Sequence, residues 1–466
     1  MRLRRGRGAG PAANPIRRGA RDRPAQPALL CLWTGAGSGR LRAMRFFIRA
    51  LAATLLALLL ASAAGLWLAL EATPRVTQTP VLDASDIARA LQLLQRNDPR
   101  GKLPGITRAV TLSQRDLELL INQAGRRYGE PRARVQLQPG LARVQASLAL
   151  PANPLGGWLN LDAVLRDGQG LPRVARLRVG RLPVPAWLAE RALPGLLDAL
   201  NLRAQGALAQ RLVSRVGFGA QKMVLAYAWP DNPQQDLANS LLSAAEQARL
   251  KVYAEHLAGL STALAAAGPV SITRLLPPVF ALARQRSADP AQAVLENRAA
   301  LVALAFLVNG QGLAALVPDA RQWARPQPLR ITLLGRPDTP QHYLVSAALS
   351  AEGGGPLADA IGLYKEVADS RGGSGFSFHD LAADRAGSRL GLQAVNQPQA
   401  LQARLAAGVQ EADLLPALAD LPESMAAREF ERRFGGVGGV AYRQMVQDIE
   451  ARLDRLALLG PLAASP

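Results

Sequence analysis

The sequence predicts an α+β chain that is mostly α. It reads as a single N-terminal transmembrane helix, a small antiparallel-sheet module with a long helix, and a helical C-terminal domain. Three observations carry this. Ala50 to Leu70 is an uncharged apolar run of 21 residues. Between 134 and 179, four segments alternate polar and apolar residues, the period of a half-buried strand. Beyond 233 the apolar residues recur at three- and four-residue steps, the period of a helix face.

The apolar run is long enough to cross about 30 Å of hydrocarbon as a helix. Arg45 and Arg49 flank its start, and Trp67 and Glu71 mark its far end. Basic residues stay on the cytoplasmic side, so residues 71–466 are expected on the opposite side, which in a bacterium is the periplasm. The expected setting is a bacterial inner membrane crossed once. Ala61-Ser62-Ala63 also fits a signal-peptide cleavage site. The run continues through Leu66, Trp67 and Leu68, beyond a usual signal core, and this favours a retained anchor. Residues 1–43 read as a disordered basic arm or as an extension upstream of a natural start at Met44. A second apolar run, Ala299–Val308, is too short to span and stops at Asn309-Gly310, so a buried core helix is expected there.

The formal charge is +20, but ten arginines and one aspartate precede Met44, so nearly half of the excess lies in that arm. The remainder is spread thinly, without the basic patch and interleaved aromatics of a nucleic-acid binder, and no nucleic-acid partner is expected. Only Lys102, Lys222, Lys251 and Lys365 are lysines. The single cysteine, Cys31, lies in the arm, so disulfides and cysteine metal sites are excluded from the folded part. No cysteine follows the apolar run, which argues against a lipoprotein anchor.

The organisation expected is an arm at 1–43, an anchor at 44–72, a linker and short helix at 73–105, and the α+β module at 106–230. A helical region at 231–325, a helical cluster at 326–395 and C-terminal helices at 396–466 follow. Ser113 to Asp116 forms a capping box that starts a helix. Strands are expected at 134–138, 142–150, 158–165 and 174–179, with Pro139-Gly140 as a hairpin turn. One long helix, Pro185–Arg215, should cover the dry face of this meander, and a further strand should lie at Met223–Trp229. This architecture is similar to periplasmic lipid-handling modules, which makes a lipid or other envelope component a candidate partner for 106–230.

Gly362–Gly387 is the least generic stretch. A helix at 356–369 would place Asp359, Gly362, Glu366 and Asp369 on one stripe, and a helix from Ser377 would place Asp380, Asp384, Gly387 and Gly391 on another. Glycine inside a helix costs about 1 kcal/mol against alanine, and close approach of another backbone offsets that cost. The two stripes are therefore expected to face each other or a common ligand, with His342 nearby. His379 falls on a different face. The candidate catalytic residues are His342, Glu366, Asp369, Asp380 and Asp384. Glu366, Asp369, Asp380 and Asp384 are also candidate metal ligands, and a carboxylate set of this kind favours Mg, Mn or Ca, a divalent cation, over zinc. A metal-free version would pair Glu366 and Asp384 as acid and base. Lys365, Arg371 and Arg385 are available counter-charges. The competing expectations are a hydrogen-bond and ion-pair network that only holds helices together and a plain solvent-exposed acidic face.

His342, Lys365-Glu366, Asp369, Gly375-Phe376-Ser377, Asp380-Leu381, Asp384 and Gly387 resemble the pattern of the YfiM-like predicted periplasmic lipoproteins and, more distantly, VanZ-like membrane proteins. The likeness covers about 338–392. It departs where Pro340-Gln341 replaces an Asp-Lys pair, and this chain lacks the lipobox cysteine. The resemblance implies an envelope location and brings no activity. The function expected is that of a membrane-anchored binding or scaffold protein of the envelope. An envelope hydrolase or transferase acting through 342–384 and a lipid-binding module at 106–230 are the alternatives.

Overall fold

A computed structural model describes residues 36–78, 80–97, 105–126, 131–151, 153, 156–200, 202–231, 233, 236, 240, 242–353 and 375–460. Contacts divide the chain into two compact units after Ala64. Helix α1 (Ala36–Ala69) contains a 24-residue apolar stretch, Phe46–Ala69, whose apolar window is 0% buried. That stretch is a candidate membrane span. Pro290–Val308 has the length and apolar content to pass the same test, but 56% of its apolar window is buried, as expected of a core helix.

From Gly65 onward the chain first builds a sheet module. After β1 (Leu70–Glu71) and α2 (Ala84–Arg96) come β2 (Thr107–Ser113) and α3 (Gln114–Gly125). Ser113 caps α3 as the sequence indicates: its hydroxyl accepts from the Asp116 amide at 3.1 Å, and the Asp116 carboxylate accepts from the Ser113 amide at 2.7 Å. The meander follows as β3 (Pro131–Gln138), β4 (Leu141–Ala149), β5 (Trp158–Arg166), β6 (Gly168–Gln169), β7 (Arg173–Val179) and β8 (Leu182–Val184). Gly140 turns the β3–β4 hairpin with φ +75°, a conformation that glycine adopts without a Cβ clash.

The single long helix expected at 185–215 is corrected by the structure. It is two helices, α4 (Ala186–Ala199) and α5 (Arg203–Leu212), followed by β9 (Val213–Phe218) and β10 (Lys222–Ala228). The physical reason lies in pairing. Val213 to Phe218 finds a partner in β10, with Met223 opposite Phe218 and Leu225 opposite Val216, and a strand's preference is decided by such neighbours more than by local propensity. β10 also pairs along its length with β2. The described strands thus form one sheet in the order β3-β4-β5-β7-β8, with β1 added to β5, and a second in the order β2-β10-β9-β6. Their shared apolar core is small: Val135, Leu137, Ala142, Val216 and Phe218, with Leu117 and Ile121 of α3 against it.

The helical region begins with α6 (Ala244–Leu264), capped by Ser243 and Glu246. Then come β11 (Val270–Ser271), α7 (Leu276–Gln285) and α8 (Pro290–Val308), the last opened by Asp289 and Pro290. β12 (Ile331–Thr332) pairs in parallel with β11. α9 (Thr339–Gly353), α10 (Phe378–Asn396), α11 (Pro398–Ala406), α12 (Ala427–Phe434) and α13 (Val440–Asp454) complete it. One continuous core runs from Leu250 to Leu459. Fully buried Phe376 stacks on Phe430 at 3.9 Å between centroids and meets Phe378 edge-on at 5.1 Å. The Gly-Phe-Ser-Phe run therefore serves as an aromatic anchor for α12.

Candidate functional site

α9 and α10 lie side by side because two glycines let their backbones meet. A β-carbon on Gly387 would be driven into the Tyr343 carbonyl oxygen, and one on Gly391 into that of Ala347. The glycines of the α10 stripe thus serve close helix packing. Ser350 reinforces the pair, its hydroxyl donating to the Ser388 carbonyl at 2.8 Å. One turn toward the start of α10, the same stripe carries Asp384 and Asp380.

This packing brings His342, Asp380 and Asp384 together, all at most 8% exposed. His342 Nδ1 lies 3.2 Å from Asp384 Oδ1, and Nε2 lies 3.6 Å from Asp380 Oδ2. The Nδ1–H tautomer of His342 is the one that can donate to an Asp384 carboxylate. Ser346, one turn after His342, donates its hydroxyl to the same Asp384 Oδ1 at 2.8 Å. The other oxygen, Asp384 Oδ2, is buried and has no hydrogen-bond partner among the described residues. Ser377 caps α10 by accepting from the Asp380 amide at 3.0 Å, which fixes where Asp380 projects.

The cluster forms one wall of a cavity of about 380 Å³ that also takes in Arg336, Asp338 and Glu423. Arg336 is engaged by both acids, at 2.7 Å from Asp338 and 2.7 Å from Glu423. Its guanidinium holds the Asp338 carboxyl down at about 2. Among the described residues, four carboxylates thus line the cavity with one arginine and one histidine. A larger cavity of about 710 Å³ lies between α8 and the Trp323–Leu329 segment, and among the described residues no acidic side chain lines it.

Glu366 and Asp369, with Lys365 and Arg371, lie outside the described residues. The four-carboxylate metal set is thus represented by Asp380 and Asp384 alone, and no three His, Cys, Asp or Glu side chains with ligand spacing occur among the described residues. Arg385 pairs with Glu450 on α13 at 3.0 Å, and Arg389 reaches Glu450 and Asp454 of that helix. His379 is buried on another face, where burial, with Arg336 nearby, pushes its pKa down. Sequence reasoning missed Ser346, although its position four residues after His342 puts it on the same helix face. It also missed Arg336, Asp338 and Glu423, which only the fold brings to the cavity.

Ser346, His342 and Asp384 have the composition of a nucleophile triad but not its connectivity. A triad needs the serine hydroxyl to donate to the imidazole. Here serine and imidazole both address one carboxylate oxygen. No known protein family, curated protein or solved structure matches the chain.

Proposed function

We propose that the chain is a single-pass envelope protein, held in a bacterial inner membrane by Phe46–Ala69, with 71–466 in the periplasm. We infer further that its helical region binds a small ligand bearing a cationic group at the His342–Asp380–Asp384 cavity. The first statement rests on the apolar span, on the arginines before it, and on the likeness of 338–392 to YfiM-like lipoproteins. The second rests on one observation: Asp384 Oδ2 is buried on the cavity wall without a partner among the described residues. Such an orphaned acceptor costs about 1–3 kcal/mol, more when charged. A donor arriving with a ligand recovers that cost, and the surrounding carboxylates favour a positive one. A hydrolase or transferase reading would ask His342 to present a free ring nitrogen to a substrate. Both of its nitrogens instead face carboxylates, which suits an imidazole that compensates charge.

The test is thermal melting of the full chain in detergent, titrated with butylammonium, MgCl₂ and CaCl₂. A ligand at about 100 times its Kd adds about 2.7 kcal/mol, a rise of several degrees. We expect at least one cation to raise the melting temperature, and Asp384→Asn, which keeps the acceptor for Ser346 and His342, to abolish the rise while remaining folded. Equal shifts in both proteins, or none in either, would sink the proposal. A rise with the divalent ions alone identifies a metal site; a rise with butylammonium alone identifies an amine site.

A further inference from the structure

The end of α1 is stitched to the sheet module. β1 pairs with β5, Leu70 opposite Leu159. The Arg181 amide donates to the Leu68 carbonyl at 2.8 Å, and the Arg181 guanidinium lies 4.6 Å from the centre of the Trp67 ring. Gly180, with φ +55°, turns the β7–β8 hairpin against Ala69, where a β-carbon would strike the Ala69 carbonyl. Arg75 adds a further stitch, donating to the Gly180 carbonyl at 2.9 Å and pairing with Glu71 at 2.6 Å. The hairpin tip is therefore fixed where the apolar span ends.

From that tip only β8, three residues long, leads to Pro185 and α4. Three strand residues cover about 10 Å. The 14 residues of α4 add about 21 Å of helix. α4 buries no residue. Its half-buried side, Ala186, Ala189 and Leu197, rests on the module. Its charges, Glu190, Arg191 and Asp198, fall on a second arc. Leu188, Ala192 and Leu196, at successive steps of four, form a third arc that no described residue covers: Leu188 is 43% and Leu196 54% exposed, while Leu193, 43% exposed, lies on the side toward the module and Trp187, 68% exposed, lies among the charges. Apolar residues on one arc and charges on another are the composition of an interfacial helix.

We propose that α4 docks through Leu188, Ala192 and Leu196 on the surface of the same bilayer that α1 crosses. The inference rests on the reading of Phe46–Ala69 as a membrane span. The span supplies the occupant: a helix that starts about 10 Å from the point where the chain leaves the hydrocarbon is within reach of the headgroup layer. Docking there removes three apolar side chains from water without a protein partner. It also makes the sheet module a second attachment point to the bilayer.

The experiment uses the full chain in lipid nanodiscs. Cys31→Ala removes the only cysteine, and Leu188→Cys, Leu196→Cys, Glu190→Cys and Leu59→Cys then each carry a single environment-sensitive fluorophore. All four positions are exposed, so folding is preserved. Doxyl groups near the headgroup should quench labels at 188 and 196 at least about twofold more than at 190, and iodide in the water should show the reverse order. The label at 59 should respond to doxyl groups deep in the bilayer. Iodide quenching of 188 and 196 as strong as that of 190 overturns the docking while the label at 59 still reports an anchored span. Labels at 188 and 196 shielded from both quenchers would show a protein contact and also overturn it. A label at 59 that no lipid quencher reaches refutes the anchor itself and this inference with it.

Discussion

The helical region is built around a continuous core from Leu250 to Leu459, which encloses Tyr253, Tyr343, Phe280, Phe376 and Phe378 completely. In the sheet module the core is five residues with a few half-buried neighbours, and α4 leaves its leucines in the open. The contrast extends to polar groups. The helical region buries Glu296, which accepts from Arg249 at 2.8 Å, Arg286 at 2.9 Å and Tyr253 at 2.7 Å. The sheet module keeps most of its ion pairs at the rim, such as Arg89 with Asp116. A buried ionisable site needs walls that do not yield, because its charges are tolerated only while their partners stay in place. A contact with a membrane surface needs the opposite, an apolar face left without a protein partner. That is the difference the two proposals require, a ligand site in one region and a membrane-facing helix in the other.

The largest effect should come from the point where α9 and α10 touch. Gly387→Ala drives a methyl group into the Tyr343 carbonyl, a backbone atom that cannot swing aside. Overpacking at such a site costs about 1–3 kcal/mol, and here the upper end is expected, since separating the helices also breaks the Ser346–Asp384 and Ser350–Ser388 hydrogen bonds. Urea unfolding followed by circular dichroism measures it. The cation response of the site should weaken with the fold. A neutral Gly387→Ala would mean that the helices are not held as tightly as the comparison requires.

A smaller effect is expected from pH. Burial lowers the pKa of His379. The unfolded chain therefore takes up a proton before the folded one does. Stability that depends on neutral His379 is complete above about pH 6.5 and is lost as pH falls from there toward the lowered folded value. In the sheet module the Arg143 hydrogen bond holds the Asp162 carboxyl below its usual range. That contribution is present above about pH 4 and is lost only below it. Acidification from about pH 7.5 to about pH 5.5 should thus loosen the helical region first, and His379→Gln should flatten some of that change. Hydrogen exchange resolved by segment distinguishes the two regions. Equal loosening of β3–β5 in this range would remove the distinction.

Much of this was legible in the chain before folding, and the limits are physical. The candidate span shows because hydrocarbon demands a long uncharged run. The meander shows because its strands keep one wet face. The α10 stripe shows because period 3.6 fixes which residues share a face, whatever packs there. What packs there could not be read: Asp380 and Asp384 meet His342 and Ser346 of α9, and Glu423 arrives from a distant loop. The break after Ala199 was hidden for a related reason. Leu200 and Leu202 continue an apolar rhythm that suits a helix, and pairing with β10 and β6 makes a strand of Val213–Phe218. Strand β2 is also defined by β10, with Thr107 opposite Ala228.

The smallest effect expected has the opposite sign to the first. Gly195 lies inside α4 with helical backbone, and a β-carbon there meets nothing within 4 Å. Gly195→Ala removes backbone freedom from the unfolded chain and adds no clash, so it should stabilise by about 0.5–1 kcal/mol. The same substitution thus costs stability at Gly387 and gains it at Gly195, and the difference isolates packing from propensity. Melting of the full chain in detergent, where α4 has no bilayer to rest on, is the clean measurement. A loss at Gly195 would mean that this face of α4 is already covered by protein, and the contrast between a filled helical core and an open sheet module would fail at its most exposed point.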